Sequence, residues 1–203
     1  MFKLLLDLVF PPRCAVCRTA ADDALCEKCK SEMVMIRKHE SYVFCVGAYE
    51  GILEKAIKQL KFNGKKRLAL PLGRLLADHN PFLSADAVIP VPLHPNRLKE
   101  RGFNQSALIS TPLAKNTGAV VLEDALVRKK DTKHLFELGR LERQKTIEGA
   151  FDIARPHVIR GASLILVDDI YTTGTTIATC RKILLGAGAS SVKALVLSRA
   201  RLV

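Results

Sequence analysis

The chain has 203 residues, of which 48% are hydrophobic, and this content supports a sizeable core and argues against global disorder. Its 32 lysines and arginines against 20 aspartates and glutamates give a formal charge of +12, which favours polyanionic partners such as phosphate esters, nucleic acid or acidic lipid. The length predicts one α/β domain with a small appendage.

The N-terminal run is mostly apolar over residues 1–10. Asp7 interrupts it, Pro11 and Pro12 follow it, and it lacks a small-residue cleavage site, so a signal peptide is not favoured. It is also too short to span a bilayer. We expect an amphipathic helix packed on its own domain, with a peripheral membrane contact as the alternative. No other segment is apolar enough to span a membrane, so a cytoplasmic location is predicted.

The sequence contains six cysteines: Cys14, Cys17, Cys26, Cys29, Cys45 and Cys180. The first four form two Cys-x-x-Cys pairs, a spacing that places four thiolates around one tetrahedral zinc ion. Disulfides are disfavoured in a reducing cytosol, and redox chemistry would need only one pair. We predict structural zinc, because the surrounding segment has too few apolar residues for a core of its own. Cys45 and Cys180 are expected to be buried small hydrophobes.

Two units are predicted along the chain, a zinc-binding module at residues 1–40 and the main domain at residues 41–203. In the main domain, residues 42–48 are predicted to form a strand. Apolar residues recur at helical spacing over residues 51–62 and again over residues 68–78.

The middle of the chain predicts a buried strand at residues 87–92 that ends in a proline-rich loop. A helix is expected at residues 103–115, kinked or broken by Pro112, and a short strand at residues 120–122. Residues 128–148 are highly charged and poorly periodic, which predicts a mobile loop or an exposed helix.

The C-terminal part predicts a strand at residues 163–167, a helix at 177–185 and a strand at 192–197. This alternation indicates a mostly parallel central sheet flanked by helices. Ligands of such sheets bind at the carboxyl ends of the strands.

Two adjacent carboxylates, Asp168 and Asp169, follow the strand at residues 163–167, and a glycine-centred threonine loop follows them. Backbone N–H groups at such a loop and at a helix N-terminus suit a phosphate, and hydroxyls add donors. The carboxylates would repel a phosphate, so they are expected to face a ribose diol or a divalent cation. The alternative is a simple helix cap, but a cap needs only one aspartate or threonine, whereas this run has two aspartates and four threonines. The run therefore predicts a receptor for a phosphorylated sugar. The loop comprises Thr172, Thr173, Gly174, Thr175 and Thr176.

This run resembles the signature with which type I phosphoribosyltransferases bind PRPP. The resemblance implies that Asp168 and Asp169 bind the ribose 2- and 3-hydroxyls and that residues 172–176 bind the 5-phosphate. PRPP also carries a pyrophosphate, for which we expect Arg97 and Arg101, in and after the loop at residues 92–97, as bidentate ligands. A basic surface loop is the alternative. Mg²⁺ would bridge phosphate oxygens and sugar hydroxyls.

Over nearly its whole length the chain is similar to the ComF family, the competence-associated phosphoribosyltransferase-like proteins. The family implies a type I phosphoribosyltransferase fold with an N-terminal zinc-ribbon-like module, and a role in DNA uptake during natural transformation alongside other competence proteins. Leu135 and Thr146 depart from the family's glutamine and asparagine, which bears on turnover. Besides the four-cysteine knuckle and the Asp–Thr run, the matching motifs are Leu60-Lys61-Phe62, Val88-Ile89-Pro90-Val91-Pro92-Leu93-His94, Arg101-Gly102-Phe103-Asn104-Gln105 and Gly149-Ala150-Phe151.

Two functions remain open from the sequence. In the first, a nitrogen acceptor displaces pyrophosphate from PRPP, with His94 or Glu137 as candidate bases. In the second, a single-stranded-DNA-binding competence factor keeps the PRPP site as a ligand receptor. DNA phosphates would then contact a basic stripe, while the low aromatic content of 5% argues against extensive base stacking. The stripe comprises Lys55, Lys58, Lys61, Lys65, Lys66 and Arg67.

Overall fold

The computed structural model describes residues 12–82, 84–131 and 149–200. The strands are β1 (Met35–Glu40), β2 (Val43–Ala48), β3 (Ala87–Pro90), β4 (Val120–Val121), β5 (Leu126–Arg128), β6 (Phe151–Ile153), β7 (Ser163–Tyr171) and β8 (Ser191–Arg199). The helices are α1 (Glu27–Ser31), α2 (Gly51–Phe62), α3 (Ala69–Asp78), α4 (Pro95–Arg101), α5 (Gln105–Thr117) and α6 (Thr175–Gly186), with 3₁₀ turns at Lys66–Leu68 and Pro156–Val158. The helix predicted at residues 1–10 and most of the charged segment at residues 128–148 lie outside the described ranges.

Six strands form one sheet in the order β1-β2-β8-β7-β3-β4. Every neighbouring pair is parallel except β1 with β2, which is antiparallel. Strands β5 and β6 form a separate antiparallel pair. The α/β class with a mostly parallel central sheet is therefore confirmed, and the carboxyl ends of β3, β7 and β8 meet at one edge, where ligands of such sheets bind.

The central strands are buried on both faces. In β7, Ile165 and Val167 contribute to the core beneath α2, α3 and α5, while Leu164 and Leu166 contribute to the core beneath α6. Their continuous apolar run, rather than an alternating one, reflects this double coverage.

The cysteine-rich segment packs on the larger of these cores instead of forming its own. Cys14 and Cys29 are 0% and 1% exposed and cluster with Leu25 and Met33 against the apolar face of α2. Strand β1 pairs with the main sheet although it lies inside the range predicted for the zinc module. The division at residue 40 stays a prediction.

Helix α5 continues through Pro112, so of the two expectations, a kink or a break, the break is wrong. Here α5 approaches α3 very closely. A Cβ added to Gly73 would lie 2.6 Å from the Ile109 carbonyl oxygen and 2.7 Å from Pro112 Cγ. Tertiary packing of the proline ring against α3 therefore holds a helix that local propensity disfavours.

Strand β7 extends four residues beyond the predicted end at residue 167, through both aspartates to Tyr171. Pairing with β8 continues over this stretch, since Asp168 lies opposite Val196 and Tyr171 opposite Arg199. The partner strand thus holds the acid pair in regular β geometry. Among the described residues, no helix is long and apolar enough to cross a membrane.

Candidate functional site

A cavity of about 220 Å³ opens at the carboxyl ends of β3 and β7. It brings together side chains from α2, α4, β5, β7 and the threonine loop, and most of the site residues predicted from the sequence are among them. Its polar and charged lining residues are Lys61, Arg97, Arg101, Gln105, Arg128, Asp168, Asp169, Thr172, Thr173 and Thr176.

The acid pair is held from two sides. Ser106 Oγ donates to Asp168 Oδ1 over 3.1 Å, and the Asp169 backbone N–H donates to the same oxygen over 2.9 Å. Asp169 itself is only 3% exposed. Burial, followed by the neighbouring Asp169 charge, raises the pKa of Asp168 to about 7, although Lys61 opposes the rise. A carboxyl group with this pKa changes its charge near neutral pH.

Lys61 lies in this pocket, which corrects its assignment to the basic stripe. Its Nζ is 2.5 Å from Asp169 Oδ2, and its side chain is 15% exposed. It ends the polar face of α2, whose other two lysines point into solvent: Lys55 is exposed and Lys58 pairs with Glu54 at the surface. The sequence showed which face of α2 is polar, but not that the end of this face lies beside β7.

The predicted pyrophosphate loop is a short helix, α4, from Pro95 onward. Arg97 and Arg101 lie one helical turn apart on it, and both line the cavity. Arg101 Nη1 donates to Gln105 Oε1, and its guanidinium lies 5.8 Å from the centre of the Phe62 ring. Burial lowers the pKa of Arg101, which still remains protonated at neutral pH.

The Arg-Gly-Phe-Asn-Gln motif builds this wall of the cavity. Asn104 caps α5 by accepting from the Ser106 backbone N–H over 2.9 Å, and its Nδ2 donates to the Val91 carbonyl over 3.0 Å. Phe103 is buried, with Lys66 Nζ 4.9 Å from its ring centre. The motif thereby ties the end of β3 to the start of α5 and orients Arg101 through Gln105.

The threonine loop connects β7 to α6 and divides two cavities. Thr172, Thr173 and Thr176 line the acid-pair cavity, whereas Gly174 and Thr175 line a neighbouring cavity of about 800 Å³ together with Thr173. The hydroxyls of Thr173 and Thr175 are 2.9 Å apart and hydrogen-bonded. The five loop residues therefore border two cavities, with Thr173 lining both, and their joint assignment to the 5-phosphate stays a prediction.

Gly174 is required by both backbone and space. Its φ is +78°, and an added Cβ would collide with the Tyr171 ring. We expect Gly174→Ala to lower the free energy of unfolding by about 1–3 kcal/mol. Urea denaturation measures this, with Gly186→Ala in α6 as the control because nothing lies near a Cβ there. Equal stability of the two variants would contradict the strain at Gly174.

Of the two candidate bases, His94 is described by the structure, and it caps a helix. His94 Nδ1 accepts from the Asn96 backbone N–H over 3.3 Å as the N-cap of α4, and lies 3.5 Å from Asp131 Oδ2. This capping role supports a structural histidine. Glu137 lies outside the described residues, as do Leu135 and Thr146.

Arg128 was missed by the sequence analysis. It is the last residue of a short strand, β5, and lines the same cavity as the acid pair, with its guanidinium 5.3 Å from the Phe151 ring centre. Burial and then the charge of Arg97 lower its pKa. The surrounding charged segment gave no periodic signal, so only the pairing of β5 with β6 places this side chain.

The four predicted zinc ligands converge on one point. Their sulfur atoms all lie within 4.8 Å of one another, with Cys14 Sγ 3.7 Å from Cys29 Sγ and Cys17 Sγ 3.6 Å from Cys26 Sγ. Four thiolates around a tetrahedral zinc ion lie about 3.8 Å apart, so the arrangement fits the metal. Hydrogen bonding to Thr19 lowers the pKa of Cys17 to about 6, whereas burial raises the pKa of Cys29, so the thiolates differ in how readily they form without the metal.

A basic groove of about 320 Å³ lies between the cysteine knuckle and the turn after α2. Of the described residues that line it, five are cationic and none is acidic. These cations are Arg13, Arg18, Lys65, Lys66 and Arg67. The predicted stripe is thus divided, since only three of its six members face the groove.

Comparison with known proteins gives three findings. A family model, Double zinc ribbon domain, matches residues 5–45. The chain is 31% identical over 205 residues to DNA utilization protein YhgH of Escherichia coli O157:H7, covering 92% of this chain and 89% of that protein. It is 30% identical over 164 residues to competence protein F of Haemophilus influenzae, covering 76% and 71% respectively.

Among solved structures, the chain is similar to a glutamine PRPP amidotransferase from B. subtilis complexed with ADP and GMP. The likeness has a TM-score of 0.44 and 22% identity, and it covers 63% of this chain and 25% of that one. It therefore concerns a part of a larger protein.

Proposed function

The chain belongs to the ComF family of competence and DNA utilization proteins, and from that premise we propose that the cavity at the carboxyl ends of β3 and β7 binds PRPP. One observation carries the proposal. Two carboxylates, a hydroxyl-rich loop at a helix N-terminus and several guanidinium groups line one cavity, although they come from distant segments. These three chemistries match the diol, the 5-phosphate and the pyrophosphate of PRPP.

The acid pair would accept hydrogen bonds from the ribose hydroxyls. Asp168 is oriented by Ser106 and by the strand backbone, so its free oxygen needs little reorganisation to bind a hydroxyl. The 5-phosphate would bind the loop hydroxyls at the N-terminus of α6, where N–H groups and the helix dipole favour an anion.

The pyrophosphate would bind Arg97, Arg101 and Arg128. Planar guanidinium groups bind phosphate oxygens bidentately, and partial burial strengthens such pairs. Mg²⁺ would enter on the phosphate oxygens of PRPP as part of the substrate and neutralise their charge. The Lys61 ammonium lies 2.5 Å from Asp169 Oδ2, so a cation of the protein already faces that oxygen.

Two outcomes follow from such a site. As a transferase, the protein would let an acceptor nitrogen attack the anomeric carbon while the bond to pyrophosphate breaks and its electrons leave with the pyrophosphate. As a receptor, it would bind PRPP without turnover. PRPP and reduced thiolates are both compatible with the cytoplasm, where we propose that the protein acts.

Calorimetric titration with PRPP and Mg²⁺ tests the site. Ribose 5-phosphate and pyrophosphate, titrated separately, probe its two halves, and each is expected to bind more weakly than PRPP. Absence of PRPP binding to the zinc-loaded protein would refute the proposal. Release of pyrophosphate in the presence of a panel of nitrogenous bases then separates a transferase from a receptor.

A second function, binding of single-stranded DNA, is favoured by the basic groove. Its five cations and the absence of acids among its described lining residues suit a phosphate backbone. Phe62, 70% exposed, lies just before the turn that forms the groove and offers one ring for base stacking. An acidic surface of another competence protein and an anionic membrane surface are further candidate partners of this basic groove.

Charge reversal tests the groove. We expect Lys65→Glu with Arg67→Glu to weaken binding of a labelled oligothymidylate at least tenfold at low salt, measured by fluorescence anisotropy. The salt slope should fall by about two, since two phosphate contacts are lost. The control, Lys55→Glu with Lys115→Glu, changes the total charge equally at exposed sites away from the groove. Equal losses in both variants would reject the groove in favour of net charge alone.

A further inference from the structure

Lys61 is the one cation of α2 that enters the cavity. The other two lysines of the helix face solvent, but Lys61 is 15% exposed and lies 2.5 Å from Asp169 Oδ2. Its stem leaves the last turn of a helix anchored in the core through Ile57 and Leu60. A cation at a helix C-terminus is also favoured by the helix dipole. The core-packed helix and the pairing with Asp169 therefore both place the ammonium group in the cavity.

Without Lys61, the buried Asp169 carboxylate would lose its counter-ion, which is energetically unfavourable. Asp169 is buried, and Asp168 lies directly beside it on β7. Two adjacent carboxylates repel each other and would repel an incoming phosphate ester. Removing one member of a buried ion pair leaves an uncompensated charge, which is strongly unfavourable.

Lys61 makes the cavity more favourable for an anion, because it offsets the negative charge of the acid pair. Its charged lining comprises two carboxylates and four cations, and among these cations the Lys61 ammonium lies 2.5 Å from Asp169 Oδ2 of the acid pair. We propose that Lys61 is a positioning residue of the cavity, which neutralises Asp169 and fixes its carboxylate for the sugar hydroxyls. This inference rests on the proposed PRPP site.

Lysine suits this role better than arginine. An ammonium group is a compact charge with three donors, so one can bind Asp169 while the others bind a ligand oxygen or water. A guanidinium would cover both oxygens of the carboxylate with its planar fork and compete with the ribose. The sequence feature that carries this role is the central residue of Leu60-Lys61-Phe62.

Titration of PRPP against Lys61→Met and Lys61→Arg, with Mg²⁺ held constant, tests the proposal. We expect Lys61→Met to weaken binding about 30-fold or more, and Lys61→Arg to restore it in part. Lys58→Met is the control, because that residue has the same helix and charge but makes a surface pair with Glu54. Equal affinities of the Lys58→Met and Lys61→Met variants would overturn the proposal.

The pH dependence of binding gives a readout that a packing role would not change. Burial and Asp169 raise the pKa of Asp168, and Lys61 opposes them, so Asp168 in Lys61→Met should ionise at a higher pH. The pH of half-maximal PRPP affinity should therefore rise by roughly one unit. An unchanged midpoint would overturn the electrostatic role.

A double-mutant cycle on stability separates this inference from the PRPP proposal. Lys61→Met alone should lower the Tm by several degrees, and adding Asp169→Asn should recover much of that loss, because no charge is then left unpaired. Strong coupling without PRPP binding in the wild-type protein would refute the PRPP site but keep the pair. Additive Tm changes would refute the pair.

Discussion

Replacing Cys29 with serine is expected to release the zinc ion and to lower the Tm of the whole protein by more than about 10 °C. The reason is the position of the metal centre. Cys14 and Cys29 are buried in the same core as the apolar face of α2, so the knuckle is a part of the main hydrophobic core. Loss of the metal leaves buried thiols without a partner and loosens the surface against which α2 packs.

The fit of the site to zinc predicts a clear stoichiometry. One zinc ion per chain should be found by elemental analysis of the wild-type protein, and less than a tenth of that in Cys29→Ser. Cys45→Ala is the control, since this cysteine is equally buried but lies on β2 away from the cluster. Cys45→Ala should keep its zinc. A wild-type protein that is fully folded without metal would refute the structural role.

Replacing Asp168 with asparagine is expected to abolish PRPP binding, with a loss of 100-fold or more in affinity, and at the same time to stabilise the protein at pH 8. The substitution keeps the shape of the side chain, and an amide oxygen can still accept from Ser106 and from the Asp169 N–H. It removes the negative charge that binds the ribose hydroxyls. Charge-assisted hydrogen bonds are the stronger kind, so the loss in affinity is large.

The gain in stability follows from the raised pKa of Asp168, about 7 in the folded protein against 3.8 for the free side chain. The folded state binds the Asp168 proton more tightly than the unfolded state. The contribution of protonated Asp168 to the free energy of unfolding is therefore complete below about pH 4 and is lost as pH rises through 7. Asp168→Asn does not suffer this loss. The variant should exceed the wild type by about 1–3 kcal/mol at pH 8 and match it near pH 4.

Denaturant unfolding at several pH values measures this difference, and Asp86→Asn supplies a control of opposite sign. Ser163 donates to the Asp86 carboxylate from its backbone N–H over 2.7 Å and from its hydroxyl over 2.8 Å, and these bonds lower the pKa of Asp86. Its contribution is present above the unfolded pKa and is lost in acid, so Asp86→Asn should destabilise at neutral pH. If Asp168→Asn also destabilised at pH 8, the burial of a costly charge would be refuted.

The elements that the sequence predicted best have strong local patterns. The helix at residues 51–62 coincides with α2, because its apolar residues recur at helical spacing and a glycine follows its end. The central strands were found because continuous apolar runs indicate burial on both faces. Strands β5 and β6 were missed, since three residues carry no period and form a strand only through each other. Helix α4 was taken for a loop because it is short and has no buried residue.

For the site, the sequence by itself determined the groups whose chemistry is contiguous in the chain: the acid pair with its threonine loop, and the four cysteines. Adjacent residues share one turn or strand end, so their proximity needs no tertiary information. Only the tertiary structure decided that Lys61 and Arg128 join the acid pair and that Lys65, Lys66 and Arg67 face the cysteine knuckle instead. The helical period of α2 shows which of its faces is polar. That Lys61, at the end of this face, lies beside the Asp169 carboxylate depends on where β7 ends in the fold.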